Sequence, residues 1–440
     1  MNRSLWTALC AGAALSAVAC YRIATLSLVF GSREGHWVYE YLYGFSSRSM
    51  VVGAMVCVAG AALLALPARV VRRREWWLVA LWLVMGTTAQ VRLRALAPYS
   101  IGRMFASDGS NGFYGATQQY PASVALRNFD GLRQTLTIHP RSNMPGKLAL
   151  VYGLEVVSKN PDMLALLVIV LSNAGGLLLY LFVRDLSGDA VTAMMSLAFY
   201  LFVPSKLFFF PILNTVTPVA VLACLWLWLR VLKTRAAAYS VALGGALFLL
   251  ALFEPLPLVS GIIFAGMAAG AVIRDEIRWG LLARHTLIVA TAFVAVYLAV
   301  RLWLGLDLFG VFRHLLGDAV EFNTVAQRPY GIWVWRNLLD FAIGAGFCQV
   351  MLLAAVMPAG WREPVIMFSA SLAAAILITD LLGVNRGEVV RLWIFFACLL
   401  QIPAAAACAR LENRLAGMTV LASSLLVGTL GTSMMNFAQP

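Results

Sequence analysis

Apolar runs long enough to cross a bilayer recur from one end of this 440-residue chain to the other. Each extends for roughly 17 to 25 residues, enough for a helix that spans the hydrocarbon layer while satisfying its own backbone hydrogen bonds. None shows the period of two that a transmembrane barrel strand requires. With 61% hydrophobic and only 12% charged residues, too few polar groups exist to coat a water-soluble core. The chain is therefore expected to be an all-α polytopic membrane protein.

Spans are expected near 5–30, 50–66, 76–96, 162–183, 190–204, 214–231, 237–253, 256–273, 286–305, 337–357, 364–383, 392–410 and 415–434, about thirteen in all. Basic residues in the short connections set the orientation. Arg69, Arg72, Arg73 and Arg74, then Arg184, then Arg230, Lys233 and Arg235, then Arg274, Arg278 and Arg284, then Arg362, then Arg410 and Arg414 share one side if the N-terminus is cytoplasmic. The formal charge of +13 thus reads as anchoring in membrane lipids, with no nucleic acid as partner. The seven cysteines lie in or beside apolar runs without a CxxC pair, as small core residues do. Ala17-Val18-Ala19-Cys20 resembles a lipoprotein cleavage site, but the apolar run continues past it, so a retained signal anchor is expected.

This threading leaves 97–143, 205–213, 306–336 and 384–391 outside, and the apolar stretch at 144–158 is too short to cross, so an amphipathic helix at the outer interface is expected there. Chemistry concentrates in these segments. Asp108, in Ser107-Asp108-Gly109, is either a general base near the membrane surface or an ordinary turn aspartate. Ile138-His139-Pro140-Arg141-Ser142-Asn143-Met144-Pro145-Gly146-Lys147 combines backbone-fixing prolines with cations suited to phosphate, and an interfacial snorkelling cluster reads the same way. The third segment offers His314, and Arg328 among aromatic residues that also read as a membrane belt. The last, Asn385-Arg386-Gly387-Glu388-Val389-Val390-Arg391, sets Arg391 at a helix start, against the macrodipole. Glu254 and Asp380, near outer helix ends, are candidates because ionisable groups at membrane depth are costly.

Over roughly 75–410 the order of these motifs resembles the GT-C superfamily of polyprenyl-phosphate-sugar-dependent glycosyltransferases. Asp108, Arg141, Pro145-Gly146, Arg184 and Gly188 match its pattern, as do Val203-Pro204-Ser205-Lys206-Leu207 and Arg386-Gly387-Glu388-Val389-Val390-Arg391-Leu392-Trp393. The chain departs from it at Asn143 and Met144, where the motif has His and Pro, and at Asn214, where an acid is usual. The resemblance implies a GT-C-like bundle, with an N-terminal transmembrane hairpin at 1–75 and a main transmembrane domain at 76–440 whose long periplasmic loop, 97–161, contains interfacial helices. It also implies sugar transfer from a polyprenyl-phosphate donor to a glycan, lipid or protein acceptor at the periplasmic face of a bacterial inner membrane. Asp108 would be catalytic; Arg141, Lys147, Arg328, Arg386 and Arg391 would bind donor phosphate; Tyr114, His139, Asn143, Asn214, His314 and Glu388 would bind substrate. No metal site is assigned, although a divalent cation stays open. The rival expectations are a lipid-linked-sugar transporter or flippase, marked by broken helices and charges at mid-membrane, and a non-catalytic scaffold of the same fold.

Overall fold

The computed structural model describes residues 2–42, 45–357, 360 and 362–438, and is almost wholly helical. Helix α1 (Asn2–Ala24) leads to a hairpin of β1 (Phe30–Ser32) and β2 (Trp37–Tyr39), antiparallel in the register Phe30 to Tyr39. Helices α2 (Ser47–Leu64), α3 (Ala68–Arg73) and α4 (Glu75–Ala95) follow. The long polar loop folds into short helices, α5 (Ile101–Ala106), α6 (Phe113–Gln119), α7 (Ala122–Arg127), α8 (Phe129–Leu132) and α9 (Ile138–Arg141), and ends in α10 (Pro145–Glu155). Beyond it come α11 (Pro161–Ser187), α12 (Ala190–Leu201), α13 (Pro204–Phe209), α14 (Thr217–Thr234), α15 (Ala237–Phe253), α16 (Gly261–Ile273) and α17 (Trp279–Leu304). The chain closes with α18 (Leu308–Val325), α19 (Tyr330–Ala345), α20 (Phe347–Val356), α21 (Pro364–Leu381), α22 (Val389–Leu392), α23 (Ile394–Leu399), α24 (Gln401–Arg410) and α25 (Arg414–Met434).

Among the described residues nine helices are long and apolar enough to cross a membrane, and ten if the bent pair α19–α20 forms one span. The expected segments at 76–96, 237–253 and 392–410 are also helical, as α4, α15 and α23–α24. Local chemistry marks the helix ends. Asn160 caps α11 by accepting from the amides of Asp162 and Met163, Pro161 takes the first turn, and Gly188 closes the helix at φ 72°. Asp162 in turn accepts from Gly102 N at 2.9 Å, tying α5 to the start of α11.

Two spans are interrupted inside the protein. Between α19 and α20 the axis turns by 104° at Gly346, φ 105°, where a Cβ would lie 2.1 Å from Gln349 Oε1. Gln401 Nε2 donates to the freed carbonyl of Ala345 at 3.3 Å and Gln349 donates to Ser424 at 2.7 Å. Between α12 and α13, Gln90 Nε2 donates to Leu201 O at 2.7 Å. Side-chain amides thus replace the lost helical partners, which is how irregular backbone survives at membrane depth. The segment 205–213, expected as an outer loop, is instead buried; Leu207 to Phe210 are apolar and pack into the core.

Candidate functional site

Helix α10 starts against the end of α15 so closely that a Cβ on Gly146 would lie 2.5 Å from Leu252 O. That approach carries Lys147, with no exposed surface, to Glu254, where Nζ lies 3.2 Å from Oε2. Thr217 Oγ1 donates to the same carboxylate oxygen at 2.5 Å, and Asn214 Nδ2 approaches the other at 3.4 Å. Lys147 Nζ also donates to Asn143 Oδ1 at 2.8 Å, while Asn143 Nδ2 donates to His139 O at 2.9 Å. The two part-buried asparagines where the GT-C pattern has His and an acid are therefore bonded to one buried pair, whose acid is Glu254. Burial lowers Lys147 from the usual lysine range, and Glu254 opposes that fall.

The first loop is anchored to this cluster through His139. Its Nε2 lies 2.8 Å from the carbonyl of Gly109, which can only accept, so Nε2 carries the proton. Burial, reinforced by Arg391, pushes the imidazole down to about 4, and it stays neutral at physiological pH. The gripped turn presents Asp108, exposed, with Oδ1 2.5 Å from where a Cβ on Gly115 would be. No side chain pairs with Arg141 among the described residues, and it is exposed.

The late loop contributes a carboxylate between two guanidinium groups. Glu388 Oε1 lies 3.2 Å from Arg328 Nη2, and Oε2 lies 2.5 Å from Arg391 Nη2. The two arginines hold Glu388 below the ordinary carboxylate range against the opposing effect of burial. Arg328 Nη1 donates to Arg386 O at 2.6 Å and Arg386 Nη1 returns a bond to Arg328 O at 2.9 Å, so this pair staples two backbones. Arg391 lowers the proton affinity of both His139 and Lys147, and so stands within electrostatic reach of the first loop.

Five cations expected at the site thus sort by accessibility. Lys147, Arg328 and Arg386 are committed to the frame, Arg391 is paired with Glu388 yet 18% exposed, and Arg141 is exposed without a side-chain partner among the described residues. Tyr114 and His314 have structural partners elsewhere: Tyr114 Oη donates to Lys159 O at 3.2 Å, and His314 Nδ1 lies 3.1 Å from Asp130, beside the Arg133–Asp318 pair. Asp380 accepts from Asn337 Nδ2 at 3.0 Å, and Asn337 Oδ1 accepts from Gly387 N at 3.0 Å, which steadies the late loop from below.

Sequence reasoning did not foresee the β-hairpin packed against α19 and Arg328. Gly31 N donates to Asp340 Oδ2 at 2.9 Å, Trp333 Nε1 donates to Gly35 O at 3.2 Å, and Trp37 lies under Arg328 at 5.3 Å. Nor did it foresee the buried Lys206, whose Nζ sits 3.7 Å over the Tyr200 ring and donates to Asn173 Oδ1 at 3.3 Å. A lone lysine inside an apolar run was the available signal. A divalent cation is poorly served by these donors: the counter-charge at Glu254 is an ammonium, and among the described residues no three His, Cys, Asp or Glu side chains gather as ligands. No protein-family model matches the chain, and no curated protein matches it.

Proposed function

We propose that this protein is a GT-C-type glycosyltransferase that moves a sugar from a polyprenyl-phosphate donor to an acceptor at the periplasmic face of the inner membrane. The observation that carries the reading is that the third polar segment joins the first loop to the late loop, His314 Nδ1 lying 3.1 Å from Asp130 at one end, and Asn323 Nδ2 donating to Val384 O at 2.9 Å and Arg328 Nη1 to Arg386 O at 2.6 Å at the other. In this reading the bundle has about thirteen spans with a cytoplasmic N-terminus, residues 1–75 form an accessory hairpin, and α5 to α10 lie along the outer interface.

The acceptor hydroxyl oxygen attacks the anomeric carbon while the bond from that carbon to the lipid phosphate oxygen breaks. Asp108 takes the hydroxyl proton, a task that needs an accessible carboxylate near the bilayer surface. The leaving phosphate gains charge, which Arg391 and Arg141 offset. Lys147, Arg328, Arg386, Glu388 and Asn143 hold these groups in place rather than touching substrate. In proteoliposomes supplied with lipid-linked sugar, Asp108→Asn is expected to abolish transfer while donor binding persists; full transfer by the variant removes Asp108 from this role.

The transporter reading keeps two specific supports, the breaks at α12–α13 and α19–α20 and the interior Lys206. Vesicles loaded on one side with lipid-linked sugar separate the two readings. A transferase consumes the donor and releases free polyprenyl phosphate, whereas a flippase moves intact donor between leaflets.

A further inference from the structure

Among the described residues α17 is the candidate span that the rest of the protein covers least, and Leu287, Val294, Leu298 and Leu302 are exposed along it. A long apolar helix with little protein around it faces acyl chains. Its last turn carries the exposed Trp303 and Arg301, whose Nη1 donates to Tyr297 Oη at 2.9 Å; aromatic and basic groups so placed mark headgroup depth. Helix α18 starts just past this point, yet its first turn does not rise away from α17. Tyr297 Oη donates to Asp307 Oδ1 at 3.2 Å, and the same oxygen caps α18 by accepting from Gly310 N at 3.2 Å. The Phe309 ring packs edge-on against the Tyr297 ring, centroids 5.1 Å apart. Tyr297 lies about two turns before the end of α17, roughly 10 Å back along its axis, so the start of α18 is held level with the span.

Helix α18 divides its surface three ways. Leu308, Val311 and Leu315 are buried against the protein. Phe309, Phe312, Leu316 and Val320, at i, i+3, i+7 and i+11, form an exposed apolar stripe. Arg313, Gly317, Glu321 and Thr324 are exposed along the polar flank beside it. A helix between core and water needs only two faces; a third, apolar and exposed, calls for a second medium. We propose that α18 lies in the plane of the membrane, in the leaflet next to the candidate site, with this stripe seated roughly 5–10 Å into the boundary between headgroups and acyl chains. Lipid is the occupant because the stripe continues the acyl-facing surface of α17, to which Phe309 is joined through Tyr297. The other sides of the helix hold both loops of the candidate site, through His314 to Asp130, Asp318 to Arg133 and Asn323 to Val384 O. Seated in lipid, α18 fixes the depth at which those loops stand. This placement does not depend on the transferase reading, because it rests on exposure and packing alone.

Two reagents applied to the full-length protein in proteoliposomes of phosphatidylethanolamine and phosphatidylglycerol test it, read residue by residue by peptide mass spectrometry. A carbene precursor dissolved in the acyl layer is expected to label Phe309, Phe312, Leu316 and Val320, as it labels Leu298 of α17. Hydroxyl radicals generated in the water are expected to oxidise His314 at least about fivefold faster than Phe309 and Phe312, although both ring types react readily with the radical. Oxidation of the two phenylalanines at the rate of His314 overturns the proposal, by placing the stripe in water. A stripe spared by both reagents also overturns it, by placing there a second copy of this chain or another protein. Phe312→Asp/Leu316→Asp sets two carboxylates on the stripe and should raise Phe309 oxidation at least about threefold while Leu298 is still labelled, the sign of an intact α17. Phe309 left protected in that variant, with Leu298 labelled, overturns the proposal, because the cover is then not lipid. If the variant does not fold, the two reagents on the unsubstituted chain decide alone.

Discussion

Replacing Glu254 by Gln keeps the shape at the centre of the candidate site and removes one charge. Lys147, which has no exposed surface and lies 3.2 Å from that carboxylate, becomes a buried cation without a counter-ion. Breaking a buried pair from one side costs about 3 to 5 kcal/mol. Deprotonation caps the penalty, since neutralising a lysine of ordinary proton affinity at pH 7 costs about 4.6 kcal/mol. The carboxamide oxygen introduced by Glu254→Gln can still accept a hydrogen bond from Lys147 or Thr217, so the expected loss is about 3 kcal/mol, the low end of that range. In the variant the folded state gives up the Lys147 proton at lower pH than the unfolded chain does. The unfolded chain then binds more protons, and stability rises with pH between that lowered value and about 10.4. Denaturant titration of the detergent-solubilised protein at pH 7 and pH 9 reads both effects. Lys147→Met combined with Glu254→Gln should recover at least about 2 kcal/mol of the summed single losses. A loss below about 1 kcal/mol, a flat pH response and additive singles would together refute a buried ion pair holding α10 on α15.

Three further outcomes are expected. The folded state keeps His139 neutral down to about 4 while the unfolded imidazole protonates near 6.5, so stability is lost as pH falls through that interval, by at most about 3 kcal/mol; His139→Gln should flatten this slope in denaturant midpoints measured from pH 7 to pH 4.5. Gly115→Ala puts a methyl 2.5 Å from Asp108 Oδ1, at the free end of a side chain that can move, so sugar transfer should fall while the melting temperature holds. Arg391→Ala should lower kcat/KM for the lipid-linked donor by roughly 10²–10³-fold in the reconstituted transfer assay, with a smaller fall in melting temperature from the lost pair with Glu388, whereas Arg328→Ala should chiefly lower the melting temperature because it loses its bonds to Arg386 O and Glu388.

The unequal legibility of this chain has a physical origin. Every apolar run expected to be helical is helical over most of its length, since length and composition are local properties that a bilayer reads one segment at a time. The loops rich in ionisable groups could also be picked out, because Asp108, His139 and Arg391 are conspicuous against an apolar background. The partnerships among them are not local. That Lys147 meets Glu254, that Arg328 and Arg386 staple backbones, and that a hairpin near the N-terminus packs on α19 depend on which helix ends meet. The turn at Gly346 is another such case, held by Gln401 far along the chain, which donates to Ala345 O and accepts from Gln349 of the next helix. Composition alone determined a helical membrane protein with polar loops. Three-dimensional packing decided which cations are paired, as Lys147 and Arg391 are, and which stand exposed without a side-chain partner among the described residues, as Arg141 does, because the burial of a charge is a property of its surroundings.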